Sequence, residues 1–125
     1  MKDMIAVFIG SGLGGVLRFG LSRGLEQTTR CAFPLATFVA NLTACFILGF
    51  SLGLALNKTT MISPTTKLFL TVGFCGGLST FSTFSREALT LFQQGHYFIL
   101  ALYVLSSLLI CTAATFLGLF CAQKL

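Results

Sequence analysis

The stretch Gly73-Phe74-Cys75-Gly76-Gly77-Leu78-Ser79-Thr80-Phe81-Ser82-Thr83-Phe84-Ser85 decides how this chain folds. It sits inside a mostly apolar run from about Lys67 to Phe92, and crossing the hydrocarbon core of a bilayer takes about 20 such residues. Yet Gly73, Gly76 and Gly77, followed by Ser79, Thr80, Ser82, Thr83 and Ser85, are poor choices for a continuous helix. Irregular backbone at membrane depth is tolerated only where it is buried in protein or lines a wet cavity. The sequence therefore predicts a spanning helix that breaks near Gly76 to Thr80, with a functional site at the break.

Working outward, three further apolar runs have the length of a membrane span. The first runs from about Met4 to Leu21, with Arg18 near its far end. The second runs from about Pro34 to Leu56, and Pro34 fits a first-turn position, where its missing N–H costs nothing. The fourth runs from about Tyr97 to Cys121. Between them, Ser22 to Ala32 holds Arg23, Glu26, Gln27 and Arg30 and reads as a loop. Asn57 to Thr66, with Lys58 and Pro64, reads as a second loop, and Gln93 to His96 as a short turn. The expected fold is all-α: one four-span membrane domain over residues 1–125. Small residues at Gly10/Gly14, Gly20/Gly24, Gly49/Gly53 and Gly73/Gly77 have the spacing that lets membrane helices approach closely.

Composition agrees. Hydrophobic residues make up 55% and charged residues 9% of 125 positions, where soluble domains carry about 25% charge. So few charges cannot cover a soluble surface, whereas lipid can serve as the outer solvent. The net charge of +5 does not point to nucleic acid, because the bases stand singly between apolar stretches. Five cysteines, none in CxxC spacing and four within apolar runs, read as small buried hydrophobes rather than a disulfide framework or zinc site. Lys2 and the apolar run to Leu17 resemble a cleaved leader superficially, but the run is glycine-rich and ends on Arg18, so it reads as a retained first span. His96 lies in a turn with no evident nucleophile beside it, and no catalytic set is visible. The reading is transport, not catalysis.

Positive charge marks the cytoplasmic side of membrane proteins. One side carries Lys2, Lys58, Lys67 and Lys124, and the other Arg23 and Arg30, with Arg18 near it. So small a bias permits two readings: one fixed orientation with the lysine-rich side inside, or insertion in both orientations, in which case two oppositely oriented copies could pair about a two-fold axis in the membrane plane.

Polar residues inside spans are the candidates for function. Asn41 lies mid-span, with Thr37 one turn before and Cys45 one turn after; its amide offers two N–H donors to an anion, or one hydrogen bond that merely packs helices. Phe81 and Phe84, three apart, share a helical face, and their positive ring edges suit a small anion without trapping it. They are expected to line a pore from different sides. Glu87 follows within one turn of Phe84, as an isolated carboxylate that would repel an anion unless it held water or a proton. Tyr103, Ser107, Cys111 and Thr115 form a polar stripe at four-residue spacing on an otherwise apolar helix.

Gly14-Gly15-Val16-Leu17-Arg18-Phe19, Ala40-Asn41-Leu42 and the opening stretch together resemble the signatures of the Fluc/CrcB family of small dual-topology fluoride channels. The resemblance spans essentially the whole chain. It implies an antiparallel homodimer in a cell (inner) membrane, exporting fluoride passively through two pores at the subunit interface. It implies a structural sodium ion at the dimer centre, held by the backbone carbonyls of Gly76 and Ser79. It places Asn41, Phe81 and Phe84 in the pore, with Ser82, Thr83, Glu87, Tyr103, Ser107 and Thr115 along a polar pathway and Arg18 as the first-helix arginine. Ser79 stands where the family often has threonine, and Cys111 where a small residue is common. The rival readings are a small four-span dual-topology exporter of drugs or cations, and a non-transporting assembly subunit. The first span has no mid-membrane acid and the chain no tryptophan for a cation cage, which weighs against an exporter.

Overall fold

A computed structural model describes residues 1–56 and 62–125. Among the described residues, four segments are long and apolar enough to cross a membrane: Lys2–Thr28, Leu35–Leu56, Pro64–Gln93 and Tyr97–Gln123.

Helix α1 (Lys2–Thr28) runs past the expected end of the first span. Ser22 to Ala32 was expected as a loop, but helix persists to Thr28 and only the residues after it form the connection. Leu, Arg, Glu and Gln are good helix formers, so leaving the apolar zone does not end the helix. The Thr28 and Thr29 hydroxyls then donate to the Gly24 and Leu25 carbonyls at 2.7 and 2.6 Å, closing its last turn.

Helix α2 (Leu35–Leu56) starts one residue later than expected. The Pro34 carbonyl accepts from the Phe38 N–H at 3.1 Å, so proline stands at the cap rather than in the first turn. Of the second expected loop, Asn57 to Thr66, residues 57–61 lie outside the described residues. Its last part is helical: Ser63 caps α3 (Pro64–Leu68), its hydroxyl accepting from the Thr66 N–H at 3.1 Å, and Pro64 takes the first-turn position. Thr65 donates to Asp3 at 2.7 Å, which ties this end to the start of α1.

The third span is broken, as expected. After α3 the backbone winds as a π-helix over Phe69–Cys75, a form that recurs at functional sites. One further turn, α4 (Gly76–Leu78), follows. Ser79 (φ −81°, ψ 151°) and Thr80 (φ −152°, ψ 120°) are extended, and helix resumes as α5 (Phe81–Gln93). The break falls on the hydroxyl pair; Gly76 and Gly77 remain helical.

Helix α5 ends at Gly95 (φ 75°), where the His96 and Gly95 N–H groups return to the Leu91 and Phe92 carbonyls at 2.9 and 3.1 Å. That is a Schellman end, for which glycine supplies the left-handed residue. Helix α6 (Tyr97–Gln123) follows.

Glycine decides the packing. The Cβ positions of Gly10 and Gly14 would run into backbone of the third span around Gly73, Phe74 and Gly77, so α1 and that span touch main chain to main chain. Gly49, Gly53 and Gly118 do the same for α2 and α6, which lie parallel: Gly49 abuts Thr115 and Gly53 abuts Leu119. Such contact is how membrane helices gain packing energy without a hydrophobic driving force. A Cβ at Gly20 or Gly24, the remaining small pair, would meet nothing within 4 Å among the described residues.

Candidate functional site

The parallel register of α2 and α6 sets a ladder of facing residues. Thr37 lies by Tyr103, Asn41 and Ser107 line one groove, Cys45 and Cys111 line the same groove one turn on, and Gly49 closes against Thr115. The break in the third span supplies the remaining wall: Ser79, Thr80, Phe81 and Phe84 complete the lining of a groove of about 240 Å³, open on one side.

Asn41 holds the break. Its Oδ1 accepts from the Thr80 N–H at 2.9 Å, and since that backbone group can only donate, the amide orientation is fixed. In a continuous helix the Thr80 N–H would have gone to the Gly76 carbonyl. Thr83 N–H, which would have served the Ser79 carbonyl, goes instead to Thr80 Oγ1 at 3.4 Å, the cap of α5. The break thus releases the carbonyls of Gly76 and Ser79 from helix bonding. The Gly77 carbonyl, released in the same way, receives Arg18 Nε at 3.2 Å. Arg18 accordingly braces the break from the α1 side and is not among the groove residues.

With Oδ1 engaged, the Asn41 Nδ2 donors remain for the groove. Nearby, Ser107 Oγ is buried and has no partner among the described residues. An unmatched hydroxyl at membrane depth is costly unless something in the groove meets it.

Within one chain the rings of Phe81 and Phe84 stack at 5.6 Å with 29° between planes, and both line the groove. Three-residue helical spacing gives that result. Phe84 lies in turn against Tyr103 at 4.9 Å, while Phe81 is 78% exposed.

Glu87 is not isolated. Thr37 donates to its Oε1 and Tyr103 to its Oε2, both at 2.8 Å. The two bonds tie α5 to α2 and α6. The carboxylate also borders a separate cleft of about 370 Å³ that includes Glu26, Arg86 and Gln94, at the loop end of the molecule.

Other expected pathway residues do not line the groove of the single chain. Ser82 and Thr83 gather around Thr80 Oγ1, at 3.1 and 3.4 Å. Thr115 spends its hydroxyl on the Cys111 carbonyl at 3.1 Å, and Tyr103 is fully buried. Thr37 and Thr80, which the sequence marks only as a neighbour of Asn41 and as part of the break, both take part in the site through their bonds to Glu87 and Asn41. Thr37 sits one turn before Asn41, and that four-residue rhythm, continued to Cys45 and Gly49, was the available signal.

A family model described as "CrcB-like protein, Camphor Resistance (CrcB)" matches residues 5–119. Among curated relatives, a "Fluoride-specific ion channel FluC" of Azobacteroides pseudotrichonymphae is 43% identical over 118 residues, covering 94% of each chain. Proteins of the same name from Flavobacterium psychrophilum and Geotalea daltonii are 38% and 37% identical, covering 100% and 98% of both chains. Length, four spans, the glycine-to-hydroxyl break and these matches agree, and the chain is a multi-pass membrane protein that belongs to the CrcB family.

Proposed function

We propose that the protein is a fluoride-selective channel, not an enzyme, which lets fluoride leave the cell passively across the inner membrane. The observation that carries this is the groove at the break. There the Asn41 amide donors, freed by the use of Oδ1 on Thr80, stand beside the unpartnered Ser107 hydroxyl and the Phe81–Phe84 pair. Fluoride is small and strongly hydrated, so a pore must replace its water with donors and still admit nothing larger. Amide N–H, hydroxyl O–H and the positive edges of aromatic rings are such donors, and none carries a full charge that would trap the ion. The relatives' names point the same way, and they favour this reading over a four-span exporter of drugs or cations. Glu87, the acid an exporter would need, is held by Thr37 and Tyr103.

The groove is open on one side, and an anion cannot face hydrocarbon. A second copy closes it. The weak charge bias favours a partner of opposite orientation, giving an antiparallel homodimer with two equivalent paths. In that assembly Phe81 of each chain meets the opposing wall, and Glu87, Tyr103, Ser82, Thr83 and Thr115 lie along or behind the polar route. Sodium fits the break: the carbonyls of Gly76 and Ser79 are among those that lose their helical donors, and hard oxygen donors suit a hard cation. When bound there, it would supply positive charge that joins two broken spans and offsets anion repulsion.

The test is efflux from liposomes loaded with fluoride, chloride or a drug cation. Rapid loss of fluoride alone is expected; equal loss of chloride, or drug transport driven by a proton gradient, would overturn the reading.

A further inference from the structure

The groove contains a feature that the anion path does not use. Cys45 on α2 and Cys111 on α6 face each other one turn beyond Asn41 and Ser107, and both line the groove. The two side chains share one groove wall across the α2–α6 seam, and both thiols are free. The next turn is the main-chain contact of Gly49 with Thr115, which brings the two helices close together beside the thiols. A third thiol, Cys75, lies behind them among Ala40, Ala44 and Leu78, buried and outside the groove. Neither a carboxylate nor an imidazole lines the groove.

We propose that Cys45 and Cys111 form a two-thiol site for a soft, thiophilic metal ion, and that the metal bound there obstructs the groove. Sulfur ligands select soft ions, and two facing thiols suit the two-coordinate geometry such ions accept. Electroneutrality adds a preference at membrane depth, where net charge is costly. With Hg(II), each Sγ–H bond breaks as an Sγ–Hg bond forms and two protons leave to solvent. The product is an uncharged S–Hg–S unit. The pairing within one chain also means that the second sulfur binds intramolecularly, so it adds affinity without ordering any new chain. Metal capture stands on the thiol geometry alone, whereas obstruction rests on the groove being the ion path.

The experiment uses full-length purified protein in detergent, with Cys31, Cys75 and Cys121 replaced by alanine and Hg(II) as probe. Chain association on a sizing column verifies that each variant is folded. The expected result is one Hg(II) per chain, two protons released, and a thiolate-to-mercury ultraviolet band. Adding Cys45→Ala or Cys111→Ala should weaken binding by on the order of 100-fold and halve the proton release. Restoring Cys75 should change neither. In liposomes, Hg(II) should arrest fluoride efflux through the two-thiol protein, dithiothreitol should restore it, and the single-thiol variants should resist. Binding that survives loss of either thiol, or that needs Cys75, would overturn the site. Metal binding with undiminished efflux would overturn the obstruction. A protein that binds metal but never conducts fluoride would refute the channel reading while leaving the metal site intact.

Discussion

Asn41 meets two demands with one amide: its oxygen caps a broken backbone and its nitrogen faces the groove. The two can be separated by substitution. Asn41→Asp keeps an acceptor for the Thr80 N–H but replaces the donors with a negative charge. It should abolish fluoride efflux while the protein still associates normally on a sizing column. Asn41→Leu removes the acceptor as well and strands a buried N–H, which costs about 1–3 kcal/mol. It should lower thermal stability as well as flux. If Asn41→Asp conducts normally, Asn41 is a packing residue only. The rings can be treated the same way. Phe84 lies between Phe81 and Tyr103, so its replacement mixes packing with function. Phe81 is largely exposed in the chain, so Phe81→Ile removes a ring edge at little cost in stability. Slower efflux at unchanged melting temperature is expected, and normal efflux would remove Phe81 from the path. Residue types were legible in the sequence at this scale, because a polar amide or a hydroxyl cluster inside an apolar run needs a reason. Partners were not. That Glu87 is satisfied by Thr37 and Tyr103 depends on the register between helices distant in sequence, which no local pattern encodes.

The broken third span shows what an element can and cannot reveal in advance. Poor helix formers announced the break, but the glycines did not make it: Gly76 and Gly77 stay helical, and the turn to extended backbone comes at Ser79 and Thr80. Two competing acceptors shift it there, Asn41 Oδ1 and Thr80 Oγ1, each of which takes an N–H from the helix ladder. The end of α1 shows the opposite case. Polar residues from Ser22 onward suggest a loop, but polarity ends a membrane span and not a helix, and α1 continues to Thr28. The break yields a contrast between neighbours. Ser79 donates its hydroxyl to the Cys75 carbonyl at 2.8 Å, a local bond worth about 1 kcal/mol, and its own carbonyl does not depend on the side chain. Ser79→Ala should therefore keep most of its efflux activity. Thr80→Pro removes the N–H that Asn41 holds, and proline's φ near −65° cannot reach the −152° found here. It should lose flux and melt markedly lower. A dead Ser79→Ala with an active Thr80→Pro would mean that the hydroxyl, not the backbone, does the work at the break.

As a whole molecule, the chain packs its helices around glycine contacts and leaves much else uncovered. Phe8, Phe98 and Val16 are 80%, 81% and 72% exposed, which lipid accommodates. Lipid does not explain the open groove or the glycine at 76. Gly76 has ordinary helical angles (φ −64°, ψ −35°), so its backbone conformation does not require glycine, and a Cβ there would meet nothing within 4 Å among the described residues. If a small residue is needed, the need comes from something that approaches from outside, and a second copy at the break is the proposed neighbour. Gly76→Leu is then a test of assembly and not of folding. Leucine is a better helix former than glycine by roughly 0.8 kcal/mol, so the single chain should be no less helical. The dimer should weaken, and efflux should fall with it, because each path would lose its second wall. Sizing or crosslinking in detergent, circular dichroism and liposome efflux read the three quantities independently. Compartment-specific reporters at the C-terminus of the unmodified chain should also appear on both sides of the membrane. Reporters on one side only would rule out an antiparallel pair. A Gly76→Leu protein that stays dimeric and conducts at full rate would put the interface elsewhere, and the groove would then need a different second wall.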